Sequence, residues 1–171
     1  LKGLAGIDEQ FENKIIRRHH EWNMTHRAVL HNIDLSNGTI TLQGNTYPLI
    51  DTHLPTLNPN DPYALNQDEQ DLMNQLHRSF RKSEKMQRHL RLLYEHGSLY
   101  LVHNGFLLYH AAIPLNQDGS FTEIDVCGER VKGKALMDRI DQVIRMAYYG
   151  EGKEKEDALD YMLYLWQGEH S

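Results

Sequence analysis

Residues 101–110, LVHNGFLLYH, set an Asn-Gly pair between two apolar runs and close on a histidine. Asn-Gly tolerates the positive φ angles of a two-residue turn whose twist matches paired strands, so this text predicts a β-hairpin over residues 99–110. No other stretch restricts the fold as strongly. Apolar residues neighbour the turn on both sides, which predicts a buried strand pair, and His110 falls where the second strand ends and the loop AAIPLNQDGS begins. Two readings of that ring stand side by side. It is either a core histidine hydrogen-bonded to backbone, or a ligand-bearing group held by the core at the edge of a loop that leaves room for substrate.

Around the hairpin the pattern alternates between helix and short strand. Residues 8–22 place Phe11, Ile15 and Trp22 at helical spacing, with Asp8 and Glu9 suited to the helix start. Residues 33–50 alternate with turn signals at Asn37-Gly38 and Gly44-Asn45, a small antiparallel meander with Pro48 on an edge strand. Three prolines within LPTLNPNDP make residues 54–62 a loop. Asn66 followed by Glu69 predicts a capped helix with Leu72, Leu76 and Phe80 on one face; Leu90, Leu93 and Tyr94 resume it after a break near Ser83, and Gly97 ends it. A strand pair within FTEIDVCGERVKG, a helix over residues 135–149, a solvated junction EGKEKED and a last helix through Trp166 complete the chain. The divisions are 1–32 helical, 33–50 meander, 60–97 helical insertion, 98–132 hairpins carrying His110, and 133–171 terminal helices.

Composition excludes several classes of partner. A net charge of −6 and a pI near 6.0 oppose general affinity for nucleic acid or anionic membrane, which is bound through clustered Lys and Arg. No apolar run approaches the roughly 20 residues of a membrane span, and LKGLAGIDEQ is no signal peptide. The single cysteine, Cys127, cannot form an internal disulfide, which makes a cytoplasmic location the expectation. A first residue other than Met and the uncovered apolar stretch YMLYLWQGEHS lead to the expectation that the chain is a piece of a longer protein.

Chemistry-bearing residues are sparse. Most of the eleven histidines sit among polar residues and read as surface groups, because no spacing makes three or four ligands converge. Cys127, beside Asp125 and Glu129, reads as a packed or exposed thiol rather than a nucleophile. Asp51 and His53 stand two apart at a strand end, where both side chains could address one metal. An Asx-type turn before the proline loop is the favoured reading of that pair. Arg130, Lys132 and Lys134 read as solvated charge. Glycine-rich phosphate loops and nucleophile-elbow motifs are lacking.

Longer blocks carry a resemblance. The text IDTHLPTLNPNDPYALN, SEKMQRHLRLLYEHGSLYLVHNGFLLYHAAIPLNQDGSF, VKGKALMDRID and LDYMLYLWQGEHS, in that order, resembles the class 3 fructose-1,6-bisphosphatases of bacteria over essentially the whole chain. The resemblance implies membership of the calcineurin-like metallophosphoesterases. Their reaction uses two divalent cations, manganese being the one implied, to lower the pKa of the attacking water and to neutralise charge on the phosphoryl oxygens. It also implies the fold class: an α+β or α/β chain forming part of a metallophosphoesterase sandwich, here mostly antiparallel hairpins, with a helical insertion.

Matched to that family's motifs, LLYHAAIP makes His110 a metal ligand, with Ala111 where many relatives have Gly. The Gly-Asp-x-x-Asp, Gly-Asn-His-Asp and closing Gly-His segments are lacking from this sequence. Asp51-Thr52-His53 imitates the first metal motif, but its position and the following Leu-Pro do not match, so no ligand role passes to Asp51 or His53. The implied protein is a cytoplasmic, manganese-dependent gluconeogenic enzyme that converts fructose 1,6-bisphosphate to fructose 6-phosphate and phosphate. This chain would be an inactive part of it, with a sugar bisphosphate as its small-molecule partner, neither nucleic acid nor membrane, and homo-oligomerisation open. The competing readings are a standalone protein-binding or regulatory module, and a degenerate phosphatase.

Overall fold

The computed structural model describes residues 10–109 and 112–169, which form an α+β arrangement of helices and small antiparallel sheets. The chain divides into two compact units inside helix α2 (Gln67–Lys82), one running to Ser79 and the other starting at Phe80.

In the first unit, helical residues 10–16 (α1) bury Gln10, Asn13, Ile15 and Ile16, while Phe11 is exposed. The buried face therefore includes two amides that the apolar spacing Phe11–Ile15–Trp22 passes over. Gln10 shows why an amide is useful there: its Nε2 donates to the carbonyls of Pro62 (3.1 Å) and Ala64 (3.3 Å). A segment with prolines at 55, 59 and 62 is short of backbone donors, so its carbonyls must find partners elsewhere.

The helix expected to reach Trp22 does not. After Ile16 the amides of Arg18 and His19 bond three residues back, and the chain continues through three 3-10 turns, His20–Trp22, Thr25–Arg27 and Leu30–Asn32. The run Arg17-Arg18-His19-His20 supplies no apolar side chain that would carry the buried face of α1 another turn. The His19 ring instead stacks on Trp22 at 3.9 Å and pairs with Glu21 at 2.7 Å.

The meander forms a sheet of order β1 (Ile33–Asp34), β2 (Thr39–Leu42), β3 (Asn45–Pro48), with Pro48 on the edge strand. Its second turn is Gln43-Gly44 (φ 50° and 81°), one residue earlier than the Gly44-Asn45 expectation, because Asn45 pairs with Leu42. Helix α2 opens on a reciprocal capping box: Asn66 Oδ1 accepts the Glu69 amide and Glu69 Oε2 accepts the Asn66 amide, both at 2.9 Å.

In the second unit, α3 (Glu84–His96) begins where the break near Ser83 was expected, with Ser83 Oγ accepting the Met86 amide. Of the predicted stripe, Leu72, Leu76 and Phe80 on α2 and Leu93 on α3 are exposed, whereas Leu90 and Tyr94 are half-buried and the Tyr94 ring stacks on Tyr148 at 4.2 Å. Gly97 caps α3 without entering the left-handed region (φ −73°, ψ 157°). Glycine is required by close approach, since a Cβ would lie 2.4 Å from the Leu93 carbonyl oxygen; α4 and α5 end the same way at Gly150 and Gly168.

Two hairpins follow, β4 (Tyr100–His103) with β5 (Phe106–Tyr109), and β6 (Ile124–Val126) with β7 (Glu129–Val131). Ile124 and Val126 join Leu136, Val143 and Ala147 of α4 (Gly133–Tyr149) and Ala158, Tyr161, Leu163 and Tyr164 of α5 (Gly152–Gln167) in the core. The sequence EGKEKED is not a junction. It is the first turns of α5, whose charged residues are good helix formers and where Lys153 pairs with Asp157 one turn on. Trp166, near the end of α5, is 73% exposed.

Candidate functional site

The sequence directs attention to the end of β5, and His110 and Ala111 lie outside the described residues. What the structure does describe is the frame on both sides of them. Leading in, Asn104-Gly105 forms the predicted turn with φ 51° and 79°, and Tyr100 pairs with Tyr109, Leu101 with Leu108, Val102 with Leu107 and His103 with Phe106. Leading out, residues 114–122 form a self-bonded loop. Leu115 bridges Phe121, Asn116 Nδ2 donates to Ser120 Oγ (2.9 Å), and Asp118 Oδ1 accepts both the amide (2.9 Å) and the hydroxyl (2.6 Å) of Ser120. The Ser120 hydroxyl, then its amide, hold the Asp118 carboxyl below the usual aspartate range.

Polar ties anchor the base of this frame. Tyr100 donates its hydroxyl to Asp138 Oδ1 on α4 at 2.7 Å, and Lys134 donates to Asp138 Oδ2 at 2.6 Å while lying 5.5 Å from the Tyr100 ring centroid. Hydrogen bonds from Lys134 and Tyr100 hold the Asp138 carboxyl low. Arg145 bonds the Tyr94 and Gly97 carbonyls at the end of α3, with Asp141 orienting its guanidinium at 2.8 Å. The Lys134–Asp138 spacing is legible as a helical pair, whereas nothing in the sequence joins either to Tyr100, 38 positions away.

Beside the frame lies an apolar groove of about 470 Å³, lined among others by Leu99, Ile113, Pro114, Leu136, Tyr161 and Trp166. Among the described residues no Asp, Glu, Lys, Arg or His lines it, so these residues offer no counter-charge to a phosphoryl group there. Among the described residues no cluster of three or more His, Cys, Asp or Glu could hold a metal ion.

The remaining candidates resolve into structural roles. Asp51 Oδ1 accepts the His53 amide at 2.8 Å, the Asx-type turn, and both residues are exposed. Arg130 pairs with Glu123 and Lys134 with Asp138, so both are surface ion-pair partners. Cys127 occupies the first turn position of the β6–β7 hairpin at φ 51°. Desolvation pushes its thiol pKa up, Arg139 opposing and Asp157 and Asp125 adding, which is the reverse of what a nucleophile needs.

A family model described as Firmicute fructose-1,6-bisphosphatase matches residues 2–171. The chain belongs to this family. It is 46% identical over 172 residues to a class 3 fructose-1,6-bisphosphatase of Parabacteroides distasonis, covering 99% of the chain and 26% of that protein. A class 3 fructose-1,6-bisphosphatase of Bacteroides fragilis is 46% identical over 169 residues, and one of Clostridium botulinum 45% over 172, again at 26% of their lengths. The chain thus spans about a quarter of the length of these relatives. No solved structure matches it. Among the described residues no helix is long and apolar enough to cross a membrane.

Proposed function

We propose that the chain is part of an enzyme that hydrolyses fructose 1,6-bisphosphate to fructose 6-phosphate and phosphate, acting in gluconeogenesis in the cytoplasm. The observation that carries this reading is 46% identity across 99% of the chain to a protein named fructose-1,6-bisphosphatase class 3. In this reading the frame described above belongs to a metallophosphoesterase sandwich, and His110 supplies one imidazole to a dinuclear manganese site. The described residues do not assemble a metal site themselves, so the other ligands belong elsewhere in the full-length enzyme.

The direct test is His110→Ala in the full-length enzyme, assayed for manganese-dependent release of phosphate from fructose 1,6-bisphosphate. A ligand role predicts a loss of about 100-fold or more in turnover with an unchanged circular dichroism spectrum. Turnover equal to the unmodified enzyme would remove His110 from the site.

A further inference from the structure

The first unit holds an open cavity of about 890 Å³ whose walls are unlike those of the apolar groove. Arg17, His20, Thr25, His26 and His31 line it, with buried Tyr63 beneath. These residues reach it because the end of α1 passes into three consecutive 3-10 turns, and each turn contributes a histidine. In a chain of net charge −6, this is a concentration of hydrogen-bond donors around one space.

Two of the donors, Arg17 and His31, are positioned by Tyr63. Arg17 lies over the Tyr63 ring, its guanidinium carbon 5.4 Å from the centroid, and has no carboxylate partner among the described residues. Tyr63 also fixes His31, its hydroxyl lying 2.7 Å from Nδ1. With the hydroxyl donating, the His31 proton sits on Nε2, which makes the neutral ring a donor to a ligand. His26 donates from Nδ1 to the Asn23 carbonyl at 3.1 Å, so Nε2 of its neutral ring is an acceptor and His26 is a wall of the cavity rather than a donor to an anion. Asn60 and Asp61 line the same cavity, and Asp61 Oδ1 accepts the Tyr63 amide at 3.3 Å. Among the described residues, one guanidinium, the His20 and His31 imidazoles and the Thr25 hydroxyl against a single carboxylate match a tetrahedral oxyanion better than a cation or an apolar body.

We propose that this cavity binds a phosphoryl group, with Arg17 as its fixed cation and His20, His31 and Thr25 as donors to the remaining oxygens. The group is either free phosphate or the phosphate of a monoester, whose organic part would meet Asn60 and Asp61. The proposal does not depend on the phosphatase reading, and its test excludes the metal site.

The experiment is calorimetric titration of the full-length protein in EDTA with inorganic phosphate and, separately, with glycerol 3-phosphate. Saturable binding with Kd of about 1 mM or tighter is expected for at least one of them. The tighter of the two identifies the source. Arg17→Gln should weaken it about 10-fold or more, Arg17→Lys less, and Arg130→Gln not at all. His20→Gln, which alters an exposed ring, should weaken it about 3-fold and serves if Arg17→Gln does not fold. No saturable binding of either anion overturns the proposal, as does unchanged affinity in folded Arg17→Gln or in His20→Gln.

Discussion

The two hairpins of the second unit share a turn and differ in everything that surrounds it. Both place a non-glycine residue and then a glycine at positive φ, Asn104-Gly105 in one and Cys127-Gly128 in the other. In β6 the buried Ile124 and Val126 flank exposed Asp125, so one face enters the core with α4 and α5 and the other meets water. In β4–β5 both faces are apolar, yet Leu101, Val102, Leu107, Leu108 and Phe106 (71%) are all exposed. Alternation carries its own instruction about which face is covered. An unbroken apolar strand pair asks for cover on both faces, and the residues described here do not provide it. Polar ties through Tyr100–Asp138 and Arg145 secure the base of β4–β5, where side-chain burial secures β6.

The sharpest way to break this contrast is to place a carboxylate in each hairpin. Val126 is 0% exposed, and Val126→Asp should lower the unfolding free energy of this chain by about 3–5 kcal/mol, read from denaturant melts. The matching Leu108→Asp should change it by about 0.5 kcal/mol or less. Equal losses would mean that β4–β5 is as well covered as β6. Next in size is Arg145→Ala, which removes charge-assisted bonds to two carbonyls and should cost about 2 kcal/mol in the same melts. Hydrogen exchange should rise at residues 94–103 and stay unchanged over 124–131; a uniform rise would show that the tie is not local.

The smallest effect concerns acid. The hydrogen bonds from Lys134 and Tyr100 depress the Asp138 pKa below the ordinary value of 3.8. A carboxyl depressed in the folded state contributes stability above its unfolded pKa and loses it as pH falls through the folded value. The Tyr100–Asp138 tie should therefore hold at neutral pH and release only below the ordinary aspartate range. In Tyr100→Phe the Asp138 titration, followed by carboxyl carbon NMR, should shift upward. An unmoved midpoint would show that the tyrosine hydroxyl is not bound there.

Local chemistry made much of the fold legible. Asn-Gly at 104–105, the Asn66/Glu69 box, the Ser83 break and the α4 periodicity each act within a few residues, so spacing alone carries them. The misreadings have equally local causes. The helix ends after Ile16 where the apolar spacing stops, and EGKEKED enters helix after the Glu151 cap and Gly152 (φ 66°) because its Lys, Glu and Asp residues from 153 on favour helix and pair across a turn. Gly97 is demanded by the nearness of the Leu93 carbonyl rather than by its φ. For the site, the sequence offers one candidate position, His110, which lies outside the described residues, together with the family likeness. The cavity around Arg17 was not legible, since Tyr63 comes from a segment more than thirty residues beyond His31 in the chain.

The sequence by itself determined the order of helices and hairpins, the turn chemistry and the family, because those depend on neighbours along the chain. Only the tertiary structure decided which apolar faces are covered, that Gln10 rather than Phe11 faces the core, and that Arg17 shares a cavity with three histidines. Burial and ion pairing depend on what arrives from distant positions, and neither spacing nor composition records that arrival.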